Sequence, residues 1–107
     1  MASKKEYLDF VLEQLSGLSD ITYRAMMGEY IIYYRGRITG GIYDDRFLVK
    51  VTPSSETILM GAPLEAPYEG AKQMLLVEDI ENRELLVNLF NAMYSELPDK
   101  AVKRKRT

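Results

Sequence analysis

Tyr68, Gly70 and Lys72, in the run PYEGAK, place a ring, a turn and a cation close together beside two prolines. Such a loop could offer a small anion or a partner one stacking surface and one charge, and Arg24 or Lys50 could add a second charge. Little else in the chain could do chemistry. Its 107 residues include no histidine and no cysteine, which removes the commonest general base, thiol nucleophiles, disulfides and thiolate metal sites. Carboxylates, Lys, Arg and Tyr remain, with no motif to organise them into a catalytic site. Asp44-Asp45 is too small a cluster for a metal and reads as a turn. The carboxylates of VEDIENRE suit the first turn of a helix, where the macrodipole favours negative charge. No enzymatic activity, cofactor or metal is expected.

The densest stretch, MMGEYIIYYRGRITGGIYDDRFLVKV, runs from Met26 to Val51. Its tyrosines could form a stacking platform for bases. Platforms of that kind are ringed by Lys and Arg, whereas Arg35, Arg37, Arg46 and Lys50 are offset here by Glu29, Asp44 and Asp45. Packing, including packing against another subunit, is the favoured reading. Tyr30, Ile32 and Tyr34 should share one face of a strand, and Ile31 and Tyr33 the other. Apolar residues on both faces point to a central strand with at least partial cover on each side. Lys50 alternates out of phase with Phe47, Val49 and Val51 and should face away from them. Gly40-Gly41 inside a strand implies a bend or a close neighbour, with the long helix or a partner chain favoured. Gly28 fits a turn or bulge between two strands.

These residues need elements to hold them. A helix is expected from Lys4 to Leu18, with Tyr7, Val11, Leu15 and Leu18 in one stripe and a capping box between Ser3 and Glu6. ITYRAM, EYIIYY, RITGGIY and RFLVKV read as four strands. Two-residue turns fall at Arg35-Gly36 and Asp44-Asp45. A short helix should begin at Pro53, capped by Ser54 or Ser55, and end at Gly61. APLEAPYEGA reads as loop or edge, and KQMLLVE as the last strand. A final helix, capped by Asp79, should carry Leu86, Leu89, Phe90, Met93 and Leu97 on one face and stop at Pro98. The sum is an α+β two-layer domain.

Hydrophobic residues make up 47% and charged residues 28%, a composition typical of a soluble globular domain. The charge is divided unevenly. Residues 1–99 hold all 16 acidic groups against 9 basic ones, while 100–107 hold 5 basic groups. Residues 1–99 are therefore expected to form a single domain, and 100–107 a basic, disordered tail. An acidic body is a poor platform for a phosphate backbone, so nucleic-acid binding is not favoured. If it occurs, Lys103, Arg104, Lys105 and Arg106 would anchor it. The start of the chain lacks a signal-peptide core, and no apolar run is long enough to span a bilayer. A cytoplasmic location without membrane association is expected.

Residues 22–97 resemble the N-terminal domain of the TfoX/Sxy family of bacterial competence regulators. The similarity lies in YRAMMGEYIIYYRGRITGGIYDDRFLVKV, PYEGAKQMLLVED and LLVNLFNAMYSELP. Arg24, Met26, Gly28, Tyr30, Lys50, Tyr68, Gly70, Lys72 and Met74 match the family pattern position by position. The resemblance implies an antiparallel sheet with flanking helices in the order α-β(3)-α-β(2)-α, similar to type III secretion chaperones. The residues themselves give one strand more in the first group. It also implies a role in transcription regulation, although full-length members carry a second, C-terminal domain, which is not expected here. Arg24, Gly28, Tyr30, Lys50, Tyr68, Gly70 and Lys72 transfer as contact or conformational positions without catalytic roles. The expectation is a stand-alone, non-catalytic interaction or regulatory module, with a protein partner that includes a second copy of itself in a homodimer. Nucleic-acid-associated regulation through the basic tail is the alternative.

Overall fold

Three tight turns set the architecture. In a computed structural model that describes residues 3–98, Met27-Gly28, Arg35-Gly36 and Asp44-Asp45 each hold two successive residues at positive φ. That is the type I′ geometry whose twist matches paired antiparallel strands. They join β1 (Ile21–Met26), β2 (Glu29–Tyr34), β3 (Arg37–Tyr43) and β4 (Arg46–Val49) into a meander. After helix α2 (Pro53–Ile58), β5 (Leu64–Glu65) and β6 (Met74–Leu76) add to the far side. The sheet is fully antiparallel, in the order β1-β2-β3-β4-β6-β5. Helices α1 (Lys5–Gln14) and α3 (Arg83–Tyr94) complete the chain. The domain is α+β with four strands in its first group, one more than the resemblance implies. The Met27-Gly28 turn makes β1 a strand of its own.

Both long helices pack on the same sheet face. Leu8, Val11 and Leu15 from the first, and Leu86, Leu89, Phe90 and Met93 from the second, meet Ile32, Tyr34, Ile42, Phe47, Val49, Leu75 and Val77 from the strands. Each fully buried aliphatic or aromatic side chain contributes about 1.5–3 kcal/mol relative to exposure. Tyr34 and Phe47 both pack on Phe90, at 6.0 and 6.2 Å between ring centres. The Tyr34 hydroxyl reaches across to donate to Asn91 Oδ1 at 2.6 Å. Leu97 is buried as expected, although it lies beyond the helix.

The helix ends differ from expectation, and α2 stops at Ile58, short of Gly61. No capping box forms at α1, whose N-cap is Lys4 and has no side-chain bond. Ser3 instead donates to Glu29 Oε1 at 2.6 Å and accepts from the Asp45 amide at 3.0 Å, tying the helix start to two strand ends. The helix also stops at Gln14, short of Leu18, and Gly17 then passes against Val87 where a Cβ would lie 3.2 Å from its methyl group. At α2 the cap is Thr52, which forms the capping box with Ser55 as its third residue. At α3 the cap is Asn82, accepting from the Leu85 amide. Asp79 lies one turn earlier and accepts from the Asn82 side chain. That helix ends at Tyr94 instead of Pro98, and Arg37 braces its C-terminal end, donating to Tyr94 O at 2.7 Å and Leu97 O at 3.4 Å. A cation at this end also suits the helix dipole.

Gly40-Gly41 has a local explanation. A bulge after Ile32 shifts the register of β2 against β3 and leaves Thr39 as the extra residue. A Cβ on Gly40 would fall on the Leu48 carbonyl oxygen, and one on Gly41 would lie 2.6 Å from Tyr30 O and 2.7 Å from the Tyr43 ring. The nearest neighbours are the sheet's own backbone and a tyrosine lying back over the strand, not the long helix or a partner chain.

Candidate functional groove

The sheet face away from the helices carries Ile31, Tyr33, Ile38, Tyr43, Leu48 and Met74, as strand alternation requires. No helix covers it. The segment from 66 to 73, between β5 and β6, folds across one part and leaves a groove of about 730 Å³. Ile38, Val51, Pro67, Ala71 and Met74 give it apolar walls. Tyr43, Tyr68, Lys50, Lys72 and Gln73 supply its polar tips among the described residues.

Local backbone chemistry explains why two of these tips meet. Gly70 sits at φ +89°, a left-handed conformation that other residues adopt at a cost. The Ala71 amide donates to Tyr68 O at 3.1 Å and closes the turn. Tyr68 and Lys72, four positions apart, thereby face the same groove. Lys50 arrives from just beyond β4, with its amide bonded to Thr39 O at 2.9 Å. The Tyr43 ring stands 6.4 Å from Tyr68. Burial, and then the neighbouring Tyr68, Glu29 and Tyr33, raise the pKa of Tyr43, so its hydroxyl stays protonated and able to donate.

Arg46 fixes the loop to the sheet. Its Nη1 donates to Glu65 Oε1 at 2.7 Å and to Ala66 O at 3.3 Å, its Nη2 to Pro67 O at 3.3 Å, and its Nε to Tyr43 O at 3.1 Å. One planar guanidinium thus joins the last residue of β3 to the start of the groove wall. No local pattern marked this residue, because its carboxylate partner lies 19 positions away.

Of the seven expected contact residues, Lys50, Tyr68 and Lys72 line this groove together, and Gly70 forms the turn between the last two. The other three lie elsewhere. Arg24 is exposed on β1 opposite Ile31, on the same sheet face but outside the groove lining. Gly28 belongs to the β1–β2 turn, and its carbonyl accepts from the Ser3 amide at 2.9 Å. Tyr30 is on the helix side, packed against the core and edge-to-face with Tyr23 at 5.9 Å.

The tyrosines do not make one platform. Tyr30, Tyr34 and Tyr94 belong to the helix side, while Tyr33, Tyr43 and Tyr68 belong to the open side. Arg35 and Arg37 lie over the Tyr94 ring at 5.6 and 4.2 Å and brace the end of α3. Among the described residues, no group of three or more His, Cys, Asp or Glu converges on a metal position. No helix there is long and apolar enough to cross a membrane. Lys103, Arg104, Lys105 and Arg106 lie outside the described residues, as does the expected tail of 100–107.

The sequence model of the TfoX N-terminal domain family matches residues 13–107. The chain is also 26% identical over 108 residues to an uncharacterized 12.7 kDa protein in the trpE 5' region of Spirochaeta aurantia, a match that covers 100% of this chain and 94% of the relative. No solved structure matches.

Proposed function

The chain belongs to the TfoX N-terminal domain family, and from that premise we propose that it is a non-catalytic regulatory module that acts in the cytoplasm through protein contact, first with a second copy of itself. The observation that carries this reading is the outer edge of β1, which pairs with no further strand among the described residues. Its six residues pair with β2 in unbroken register and are almost entirely exposed. An edge of this length is usually blunted by several charged residues, Pro or a bulge; β1 has no Pro or bulge and a single charge, Arg24. Tyr23 and Met26 remain 44% and 49% exposed along it.

The turn at its end adds to the case. Met27 is 96% exposed and held at φ +53°, where Asn, Asp or Gly would sit more easily. A large apolar side chain in a strained, solvated position is more useful to a partner than to the fold.

A two-fold pairing centred on Tyr23 sets Tyr23 against its own copy and Thr22 against Arg24 of the second copy. No two like charges then oppose one another, and the helices of both copies stay on one side of a continuous sheet. Light scattering over a concentration series tests this. A dimer mass is expected for the native chain and a monomer for Tyr23→Lys, which places two cations at the two-fold centre. A native chain that stays monomeric throughout, or a Tyr23→Lys variant that still dimerises, would remove the β1 interface. The same series in low and high salt with a nucleic-acid duplex separates the basic-tail reading, which requires steeply salt-dependent binding.

A further inference from the structure

We propose that the Met26-Met27 pair at the end of β1 is an oxidation site, through which peroxide controls the pairing of two copies of this chain. The inference rests on the β1 pairing reading and adds its regulation. The chain contains no cysteine, so a peroxide meets no thiol first, and its thioethers are the side chains most open to oxygen transfer. Exposure sorts them. Met27 is 96% exposed and Met60 82%, Met26 is 49% exposed, and Met74 and Met93 are buried at 9% and 0%. The step is one oxygen transfer. A lone pair on the Met27 sulfur attacks one oxygen of hydrogen peroxide, and the O–O bond breaks. The departing hydroxide takes the proton from the transferred oxygen and leaves as water. The thioether is oxidised to a sulfoxide and the peroxide is reduced.

Position gives the step its effect. In the two-fold arrangement centred on Tyr23, Met26 comes opposite Asp20 of the second copy and Met27 opposite Ser19, at both ends of the shared ladder. A sulfoxide there carries a polar oxygen into a contact that calls for a flexible apolar side chain. Two-fold symmetry makes each change count twice. Pairing and oxidation therefore oppose one another. The paired form shields the two sulfurs, and the oxidised form pairs less tightly, so peroxide draws the equilibrium toward single chains by mass action. Met60 supplies an internal control. It is almost as exposed as Met27, but it shares a small cavity with Leu76 of β6, and the β5-β6 end of the sheet lies away from β1.

The full chain is treated with dilute hydrogen peroxide over a series of protein concentrations. Peptide masses locate the added oxygen, and light scattering reports the assembly. Met27 and Met60 should be oxidised first, Met26 next, and Met74 and Met93 last. Raising the protein concentration through the dimer range should slow oxidation at Met26 and Met27 by about threefold or more and leave Met60 unchanged. Oxidation should raise the dissociation constant of the dimer by about tenfold, since both copies carry the change. A methionine sulfoxide reductase with a thiol reductant should restore pairing. The double variant Met26→Leu, Met27→Leu keeps apolar side chains without sulfur and should stay paired in peroxide. The proposal is overturned if Met26 and Met27 react no faster than Met74, or if the oxidised chain pairs as tightly as the native one. It is also overturned if the double leucine variant dissociates in peroxide as the native chain does. A chain that is already monomeric before peroxide is added overturns the β1 pairing itself, and this regulation with it. A dimer that survives full oxidation of both residues overturns the regulation alone.

Discussion

The same strands present very different surfaces on the two sides of the sheet. On one side, Ile32, Ile42, Phe47 and Val49 lie under two helices with no exposure at all. On the other, Leu48, Tyr33 and Met74 are buried too, but Ile31, Ile38 and Tyr43 are only half-buried, beside a loop that one arginine holds down. Composition does not separate the two sides, because both are apolar and both carry tyrosines. Cover separates them. Where cover is complete, tyrosine hydroxyls are turned toward partners within the fold, as Tyr34 is toward Asn91. Where cover is partial, Tyr43 and Tyr68 line an opening beside two lysines. The covered side stabilises the domain, whereas the open side leaves apolar and aromatic residues within reach of solvent.

The largest effect that should follow from this contrast is at Phe90, which touches rings from both β2 and β4. Phe90→Ala should cost about 3–5 kcal/mol in chemical denaturation. An effect below about 1 kcal/mol would mean that the covered side is not the core.

Met27→Asn should act in the opposite direction. It relieves a left-handed methionine and should stabilise the domain by about 1 kcal/mol, while weakening the pairing proposed through β1. If stability rises and the dimer is untouched, the exposed turn is not part of the interface.

Arg46→Ala should lower stability by about 1 kcal/mol, because its hydrogen bonds are only partly shielded from water. Its larger consequence should appear in the groove, as increased amide exchange from 66 to 73 with the helix side unchanged. Equal loosening on both sides would contradict the division between them.

Much of this contrast could be read directly from the sequence. Two-residue gaps between alternating runs placed the first three strands at their observed positions and the start of the fourth, which ends at Val49 and not Val51, because type I′ turns leave little freedom in register. The helical stripe of Leu86, Leu89, Phe90 and Met93 likewise identified the covering face. Contacts between distant residues were not legible. Ser3 looks like a cap beside Glu6, yet its best partners are Glu29 and Asp45, which only folding brings near. The end of α3 is set by Arg37, 57 positions before Tyr94. In the groove, the local spacing of Tyr68, Gly70 and Lys72 was informative, whereas the arrival of Lys50 and the anchoring by Arg46 depend on strand pairing.

The smallest expected effect concerns how the covered side is finished at its margin. Glu96, just beyond α3, accepts from the Ser54 amide at 3.0 Å and from its hydroxyl at 2.6 Å, joining the start of α2 to the end of α3. These bonds favour the carboxylate and hold its pKa below the ordinary value, the Ser54 hydroxyl contributing most. Because the folded-state pKa is depressed, the stabilisation is present above the unfolded-state pKa and fades as the pH falls through the folded-state value. The native chain should therefore lose a small increment of stability on acidification that Glu96→Gln does not lose, with the two converging at the acid end. The group is fully exposed, so salt and water should keep the difference small. Parallel melting curves at neutral and acid pH would show it. If the two proteins kept a constant separation at every pH, Glu96 would act through its neutral hydrogen bonds alone, and the margin of the covered side would carry no titratable tie.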